Sequence, residues 1–274
     1  MSLFRALKKQ LRQLFLDKLN PSNESLLKGS DVFLASYPRS GNTWCRVILA
    51  HLLYPDFELG QMDNINNYIP AIHKRFPKTS GYSEPRIIKT HEAFHYRMGK
   101  KNEELYKKNI YVVRNVFDVI KSYYHFKKAR GRLEGIDLNE FAQRMAYGMY
   151  GPGLWQEHIL GWYGAGLHHG KTLLVKYEDL LADPVKEIER MAAFLNIQKT
   201  KAECQKIVEN SNIQKMRKAQ DRGAIGRIPE FVRSGAERLP NLTFDPKTIQ
   251  LVYQNNRVAM DLLGYTLAEN LTDK

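Results

Sequence analysis

Four short apolar runs, rich in β-branched residues, recur along the first two thirds of the chain. They are Asp31–Ser36, Arg86–Lys89, Asn109–Arg114 and Thr172–Tyr177. Continuous apolar runs of this length are typical of strands that are buried on both faces. Because loops or helical patterns separate the runs, the sequence predicts an α/β fold whose central, mainly parallel sheet is covered by helices on both faces.

Helical patterns follow three of these strands. They span Asn42–Leu53, Asn115–Lys128 and Asp179–Leu195, and Pro184 is expected in the first turn of the last one. Ligands of such sheets bind beyond the carboxyl ends of the strands. Functional side chains are therefore expected directly after the strand ends at Ser36, Lys89, Arg114 and Tyr177.

Composition narrows the class of partner. The 274 residues include two cysteines, Cys45 and Cys204, which are too few for a disulfide framework or a cysteine-based zinc site and favour a reducing, cytoplasmic compartment. The net charge of +13 favours anionic partners such as nucleotides, polyanions or an acidic membrane surface. No nucleic-acid-binding motif is found, so no specific nucleic acid is expected.

Residues 1–30 are expected to form a basic amphipathic helix and a lead-in to the domain. Leu3, Leu7, Leu11 and Leu14 fall on one stripe, whereas most lysines and arginines lie off it. Charged residues interrupt every apolar stretch, which argues against a secretory signal or a spanning helix. The helix can either contact an anionic membrane peripherally or pack on its own domain.

The loop after the first strand has the chemistry of a phosphate site. It reads Tyr37-Pro-Arg-Ser-Gly-Asn-Thr-Trp44 and precedes a helix, whose first amides are suited to an anion. Arg39 adds a planar guanidinium, and Ser40, Asn42 and Thr43 add donors. The loop is not a Walker A motif, since it has one glycine and no lysine after it. An ordinary strand-to-helix turn is the alternative.

This segment resembles the 5′-phosphosulfate loop of the cytosolic-type sulfotransferases, usually written YPKSGTTW. Arg39 stands where that loop usually carries Lys, and Asn42 replaces its first Thr. The resemblance implies a P-loop-like three-layer fold and a co-substrate, 3′-phosphoadenosine-5′-phosphosulfate (PAPS). It also implies PAPS contacts from the loop residues Arg39, Ser40, Gly41, Asn42, Thr43 and Trp44.

Four further segments resemble the same family in the same order. Arg114 and Ser122 match its 3′-phosphate segment, and Tyr177 matches a tyrosine that touches adenine, with Glu178 and Asp179 expected to cap the following helix. Ser211 lies where the family places another adenine contact. The resemblance also implies a 3′-phosphate clamp that carries one charge fewer than usual, because Ser replaces Lys in Arg233-Ser234-Gly235.

Lys89-Thr90-His91 matches the family's K-T-H, which implies that His91 is a general base for the acceptor. Imidazole titrates near neutral pH, which suits this task. Lys89 is expected to neutralise the sulfuryl oxygens, and Arg39 to stabilise charge on the leaving bisphosphate. Because fixed cations can take the place of Mg²⁺, no metal is expected. The reaction implied is an in-line transfer of the sulfuryl group to a hydroxyl or amine.

Three other functions remain open from the sequence. The segment His91-Glu-Ala-Phe-His95 spells H-E-x-x-H, the signature of zinc peptidases, although it directly follows a strand. A nucleotide kinase would share the fold but needs the missing Walker lysine. A non-enzymatic polyanion binder could use the basic, aromatic stretch Tyr123–Arg132.

The resemblance implies a single sulfotransferase domain over residues 31–265 and a C-terminal tail over 266–274. The acceptor is expected to be a small molecule, a saccharide or a lipid. Basic residues around the predicted site favour an anionic one, among them Lys127, Lys128, Arg130 and Arg132. His158 resembles a residue that flanks the family's acceptor pocket, and simple burial is the alternative. The family's dimer motif is not found, which leaves the oligomeric state open.

Overall fold

A computed structural model describes residues 26–74, 76, 82–94, 107–169, 171–221 and 243–267. Four strands form one sheet in the order β2-β1-β3-β4, and every neighbouring pair is parallel. The strands are β1 (Val32–Ser36), β2 (Ile87–Thr90), β3 (Lys108–Val113) and β4 (Lys171–Lys176). The predicted parallel sheet is thus confirmed, with strand ends shifted by one residue.

Helices follow the strands as the alternating pattern predicts. In chain order they are α1 (Asn42–Leu53), a 3-10 helix (Leu59–Asn67), α2 (Val116–Lys128), α3 (Leu138–Ala146), α4 (Trp155–His169), α5 (Tyr177–Ala182), α6 (Pro184–Phe194), α7 (Lys201–Asn210), α8 (Ile213–Asp221) and α9 (Pro246–Leu262). None of these described helices has the length and apolar character needed to cross a membrane. The predicted amphipathic N-terminal helix lies almost entirely outside the described residues.

The sheet separates two hydrophobic cores because successive side chains of a strand point to opposite faces. Phe33 and Ala35 belong to a core that includes residues of α2, α3, α4 and α9. Val32 and Leu34 belong to a second core with residues of α1, α6 and α7. Both faces of the sheet are therefore covered by helices, as predicted.

The helix predicted over Asp179–Leu195 is instead two helices, α5 and α6, that meet at Asp183. Pro184 is the first residue of α6, where its missing N–H costs nothing, but it cannot continue a preceding helix. The Asp183 carboxylate accepts a hydrogen bond from the Lys186 amide at 3.1 Å and caps α6. The prediction of one continuous helix was therefore wrong, whereas the expected place of Pro184, in the first turn of a helix, is confirmed.

The strand order determines where a ligand can bind. The connection after β1 leads to β2 on one side of it, and the connection after β3 leads to β4 on the other side of the sheet. Two connections therefore leave the sheet in opposite directions at the carboxyl ends of β1 and β3, which opens a crevice there. The loop after Ser36 and the side chain of Arg114 both lie at this edge.

Candidate active site

The loop between β1 and α1 leaves the start of that helix open to an anion. Gly41 is the N-cap residue with φ 97°, and no side chain caps the helix. Arg39 also has a positive φ of 73°, an uncommon conformation for a residue other than glycine. The first amides of an uncapped helix lack internal partners and carry its positive dipole end, so they favour a negatively charged ligand.

The ring of Tyr177 packs against this loop. A Cβ atom added at Gly41 would lie 2.6 Å from the Tyr177 ring, so only glycine fits there without displacing the ring. Trp44 meets the same ring edge-on, with 5.8 Å between the ring centroids. The Arg114 guanidinium lies over the Tyr177 ring at 4.3 Å from its centroid. Tyr177 therefore links the loop after β1 to the arginine after β3.

Three polar atoms in this region are buried without a hydrogen-bond partner among the described residues. They are Ser40 Oγ, Trp44 Nε1 and Arg114 Nε. Buried polar groups are almost always satisfied in native proteins, so this cluster of donors is a candidate ligand site. Arg114 has one loose ion pair, with Asp118 at 3.7 Å. The donors at these residues fit a ligand that carries phosphate groups.

Arg39 and Ser122 are brought together by the fold. Arg39 Nε donates to Ser122 Oγ at 3.1 Å, and its guanidinium lies 4.7 Å from the centroid of the Phe126 ring. Ser122 and Phe126 lie four residues apart on α2, which starts directly after β3. The permanent charge of the first loop is therefore held against the helix that follows Arg114.

Asn42, Thr43 and Ser211 occupy less suggestive positions. The buried Asn42 amide donates to Ser36 Oγ at 3.0 Å, and Thr43 lies in the first turn of α1. Ser211 is the C-cap residue of α7, where its hydroxyl donates to the Ile207 carbonyl at 2.7 Å. The predicted clamp Arg233, Ser234 and Gly235 lies outside the described residues.

His91 directly follows β2, and its ring is oriented by β1. His91 Nδ1 lies 2.8 Å from the Ser36 carbonyl oxygen, which can only accept, so Nδ1 carries the proton. In the neutral ring the lone pair is then on Nε2. Burial, followed by the charge of Lys89, holds the pKa of His91 well below its ordinary 6.5, although the bond to Ser36 opposes this. The imidazole is therefore a neutral base at physiological pH.

Lys89 lies on β2, two residues before His91. It is 9% exposed, and its amide donates to the Pro70 carbonyl at 2.8 Å. The charge of Lys89 also contributes to lowering the pKa of His73, to about 4, after the larger effect of burial. The structure therefore places a cation of the predicted set close enough to act on the imidazole of His91.

The zinc reading requires both histidines of H-E-x-x-H on one helical face. His91 instead comes directly after a strand, and no α-helix begins in residues 91–94. His95 lies outside the described residues. Within the described ranges, no three or more His, Cys, Asp or Glu residues are grouped so that they could hold a metal ion.

A hydrogen-bonded pair, Tyr111 and His158, contacts the backbone of His91. The sequence did not single out Tyr111. Tyr111 Oη and His158 Nδ1 are 2.7 Å apart, while His158 Nε2 lies 3.2 Å from the His91 carbonyl oxygen. That carbonyl can only accept, so Nε2 carries the proton and Tyr111 donates to Nδ1. His158 is 1% exposed. A tyrosine within an otherwise apolar strand was the signal for a buried polar partner.

Ser36, whose carbonyl orients His91, was also missed in the sequence, although it ends β1 next to the loop.

Glu178 was interpreted as a helix cap, but its carboxylate binds elsewhere. It accepts from the Asn115 amide at 2.9 Å and from the Tyr265 hydroxyl at 2.8 Å. Glu178 thereby connects the end of β3 to the C-terminal segment. Sequence spacing could not show this contact because its partners lie 63 and 87 residues away.

Comparisons with known proteins find sulfotransferases among the relatives of this chain. Flavonol 4′-sulfotransferase of Flaveria chlorifolia is 32% identical over 176 residues, which cover 60% of this chain and 55% of that protein. Sulfotransferase 1C2 of Homo sapiens is 30% identical over 225 residues, which cover 76% and 75%. The chain spans just over half the length of the two flavonol sulfotransferases that it matches, 55% and 56%.

Solved structures share the fold. Mouse sulfotransferase SULT7A1 complexed with PAP has a TM-score of 0.62 and 24% identity, with 87% of this chain and 88% of that chain covered. Retinol dehydratase in complex with androsterone and inactive cofactor PAP has a TM-score of 0.65 and 20% identity, with 85% of this chain and 81% of that chain covered.

The family model described as sulfotransferase domain matches residues 29–254. The chain therefore belongs to the sulfotransferase domain family.

Proposed function

We propose that this protein is a sulfotransferase that moves the sulfuryl group of PAPS to a hydroxyl or amine of a second substrate. The observation that carries the proposal is the cluster of unsatisfied donors around Gly41. Ser40 Oγ, Trp44 Nε1 and Arg114 Nε are buried without partners in the described part of the chain, beside an uncapped helix. Two anionic ends joined by an aromatic base would satisfy this combination.

The donor would lie along the carboxyl ends of β1 and β3. Arg39, Ser40, Gly41, Asn42, Thr43 and Trp44 would bind its 5′ phosphosulfate. Arg114, Ser122 and the clamp of Arg233, Ser234 and Gly235 would bind its 3′ phosphate. Tyr177 and Ser211 would border the adenine.

His91 would act as the general base. Its Nδ1 proton is engaged by Ser36, so the Nε2 lone pair can accept the proton of the acceptor hydroxyl. The acceptor oxygen then forms a bond to sulfur while the bond from sulfur to the bridging phosphate oxygen breaks. Adenosine 3′,5′-bisphosphate (PAP) leaves with that electron pair. An in-line geometry follows from attack opposite the leaving oxygen.

Two fixed cations would stabilise the charge that moves during transfer. Lys89 would face the sulfuryl oxygens, and Arg39 would stabilise the charge that grows on the leaving oxygen. Unlike lysine, Arg39 cannot give up a proton, so it would act by charge and hydrogen bonding alone. Since both cations belong to the chain, the proposed reaction requires no metal.

Two measurements test the proposal. Titration calorimetry with PAP should give a dissociation constant of about 10 μM or tighter, and radiolabelled PAPS should transfer label to a panel of phenols, alcohols and amines. ATP with Mg²⁺ serves as the control donor and should transfer nothing. Folded protein that does not bind PAP, or that transfers only from ATP, would overturn the assignment.

A further inference from the structure

A group of cations at the end of α2 is not used by the proposed transfer reaction. Lys128, Arg130 and Arg132 are exposed and form no ion pair with any carboxylate of the described residues. Two acidic side chains that follow in the sequence have other partners: Asp137 caps α3, and Glu140 pairs with Arg144. Positive charge therefore accumulates on this surface without internal compensation.

Arg130 connects this surface to the donor loop. Its guanidinium lies 3.9 Å from the centroid of the Phe126 ring, and that of Arg39 lies 4.7 Å from the same centroid. The two charges are thus less than about 10 Å apart, with one aromatic ring as their common support. Arg39 is three residues from Ser36, whose carbonyl orients His91. Arg130 therefore lies within about 10 Å of Arg39, which belongs to the proposed reaction centre.

Other positive charges surround Arg130. Partial burial and then the charge of Arg132 lower its pKa, although it stays protonated at neutral pH. Lys127 adds another cation nearby, over Tyr123 at 5.2 Å and Tyr150 at 5.8 Å. Crowded cations become more stable when an anion approaches them.

We propose that the acceptor carries an oxyanion, such as a carboxylate, and that Arg130 binds this group while the acceptor hydroxyl faces His91. The inference rests on the proposed function, because it assigns the acceptor class of the same site. Arg130 would be a specificity-determining residue. Its planar fork matches a carboxylate, and Lys128 and Arg132 would add longer-range attraction.

The test compares two acceptors that differ only in charge. 4-Hydroxyphenylacetate and 4-hydroxyphenylacetamide share the ring and hydroxyl, but only the first carries an anion. The ratio of their kcat/KM values with saturating PAPS, and of their dissociation constants with PAP-saturated protein, should favour the acid by about tenfold. Raising the salt concentration should shrink both ratios because exposed charges are screened.

Variants assign the preference to one residue. R130Q should reduce the ratio by about fivefold or more, and R130K should keep part of it, since lysine retains the charge but not the fork. R257Q is the matched control, because Arg257 is another exposed arginine, 66% exposed, on α9. It should leave the ratio unchanged.

The outcomes separate this inference from the proposed function. Equal or better use of the amide, a ratio insensitive to R130Q, or no binding of either compound to PAP-saturated protein would overturn the anionic-acceptor proposal alone. Failure of the protein to bind PAP would instead overturn the proposed function.

Discussion

The two sides of the candidate site differ in how completely their polar groups are paired. On the donor side, Ser40 Oγ, Trp44 Nε1 and Arg114 Nε have no partner among the described residues. On the histidine side, Ser36 and His91 are joined by a bond of 2.8 Å, and Tyr111 and His158 by one of 2.7 Å. Both sides combine buried and half-buried residues, so burial does not explain the difference.

The contrast indicates that the two sides have different tasks. Groups that bind an anion must be available before it arrives, and they carry the cost of being unpaired until then. A base must already have its correct tautomer and orientation, so its partners belong to the protein. The donor side would thus be completed by its ligand, whereas the histidine side is organised by the fold itself.

The largest expected effect comes from removing the base. His91→Asn keeps an N–H that can donate to the Ser36 carbonyl but has no basic nitrogen. We expect transfer to fall by about 10³-fold, while the dissociation constant for PAP changes by less than about twofold. Steady-state kinetics and calorimetry on the same preparation measure the two quantities.

His91→Ala provides the comparison, since it removes both the base and the bond to Ser36. If His91→Asn retained most of the activity, the proposed base would be wrong. If both variants lost affinity for PAP as strongly as activity, the two sides would not be separable.

A second large effect is expected where the donor loop touches Tyr177. In Gly41→Ala the new Cβ would lie 2.6 Å from that ring. The alanine would also have to adopt φ 97°, a backbone conformation that favours glycine. We expect the free energy of unfolding to fall by about 2 kcal/mol and PAP to bind about tenfold more weakly or worse. Urea unfolding and calorimetry measure both changes.

Two glycines separate strain from contact. Gly135 has φ 70° but open space around its Cβ direction, and Gly60 has open space without a positive φ. Gly135→Ala should cost about 1 kcal/mol of stability and Gly60→Ala less, with PAP binding unchanged in both. Weakened PAP binding in Gly135→Ala would show that general destabilisation, and not the contact with Tyr177, causes the loss.

Two buried serines allow a sharper test of the contrast. Ser40 Oγ is unpaired, whereas Ser36 Oγ accepts from Asn42 at 3.0 Å and lies 3.2 Å from His91 Nδ1. Ser40→Ala should leave the free protein as stable or about 1 kcal/mol more stable, yet weaken PAP binding by about tenfold. Ser36→Ala should lower stability by about 1 kcal/mol and leave PAP affinity unchanged. Changes of the same sign in both variants would remove the distinction between the two sides.

The sequence predicted the sheet well, because buried parallel strands are continuous apolar runs that differ from their surroundings. It also singled out the loop around Gly41 and the residue after β2 as candidates, since both lie at strand ends, and their roles stay predictions. Helix boundaries were less certain at Asp183, where one proline and one capping carboxylate divide a pattern that otherwise reads as continuous.

The supporting contacts could not be predicted, because they join residues far apart in the chain. Tyr111 and His158 are 47 residues apart, and Ser36 and His91 are 55 apart. Nothing in a local pattern specifies which buried hydroxyl meets which imidazole. Such pairs depend on the register between β1, β2 and β3 and on the position of α4, which only the folded chain determines.

The smallest expected effect concerns pH and tests whether the histidine side is organised before the donor arrives. Burial holds the pKa of His91 below its ordinary 6.5 in the folded protein, so between these two values the unfolded chain binds more protons. Stability from this residue is therefore fully present above about pH 6.5 and is lost as the pH falls towards the folded pKa. The free energy of unfolding can be measured with urea from pH 8 to pH 5. Below about pH 6.5 wild type should lose more stability than His91→Asn, by up to about 1 kcal/mol per pH unit. Above that pH the stability curves of the two proteins should be parallel. Parallel curves over the whole range would mean that the His91 imidazole titrates normally in the folded protein, and the fold would then not hold it as a neutral base in advance.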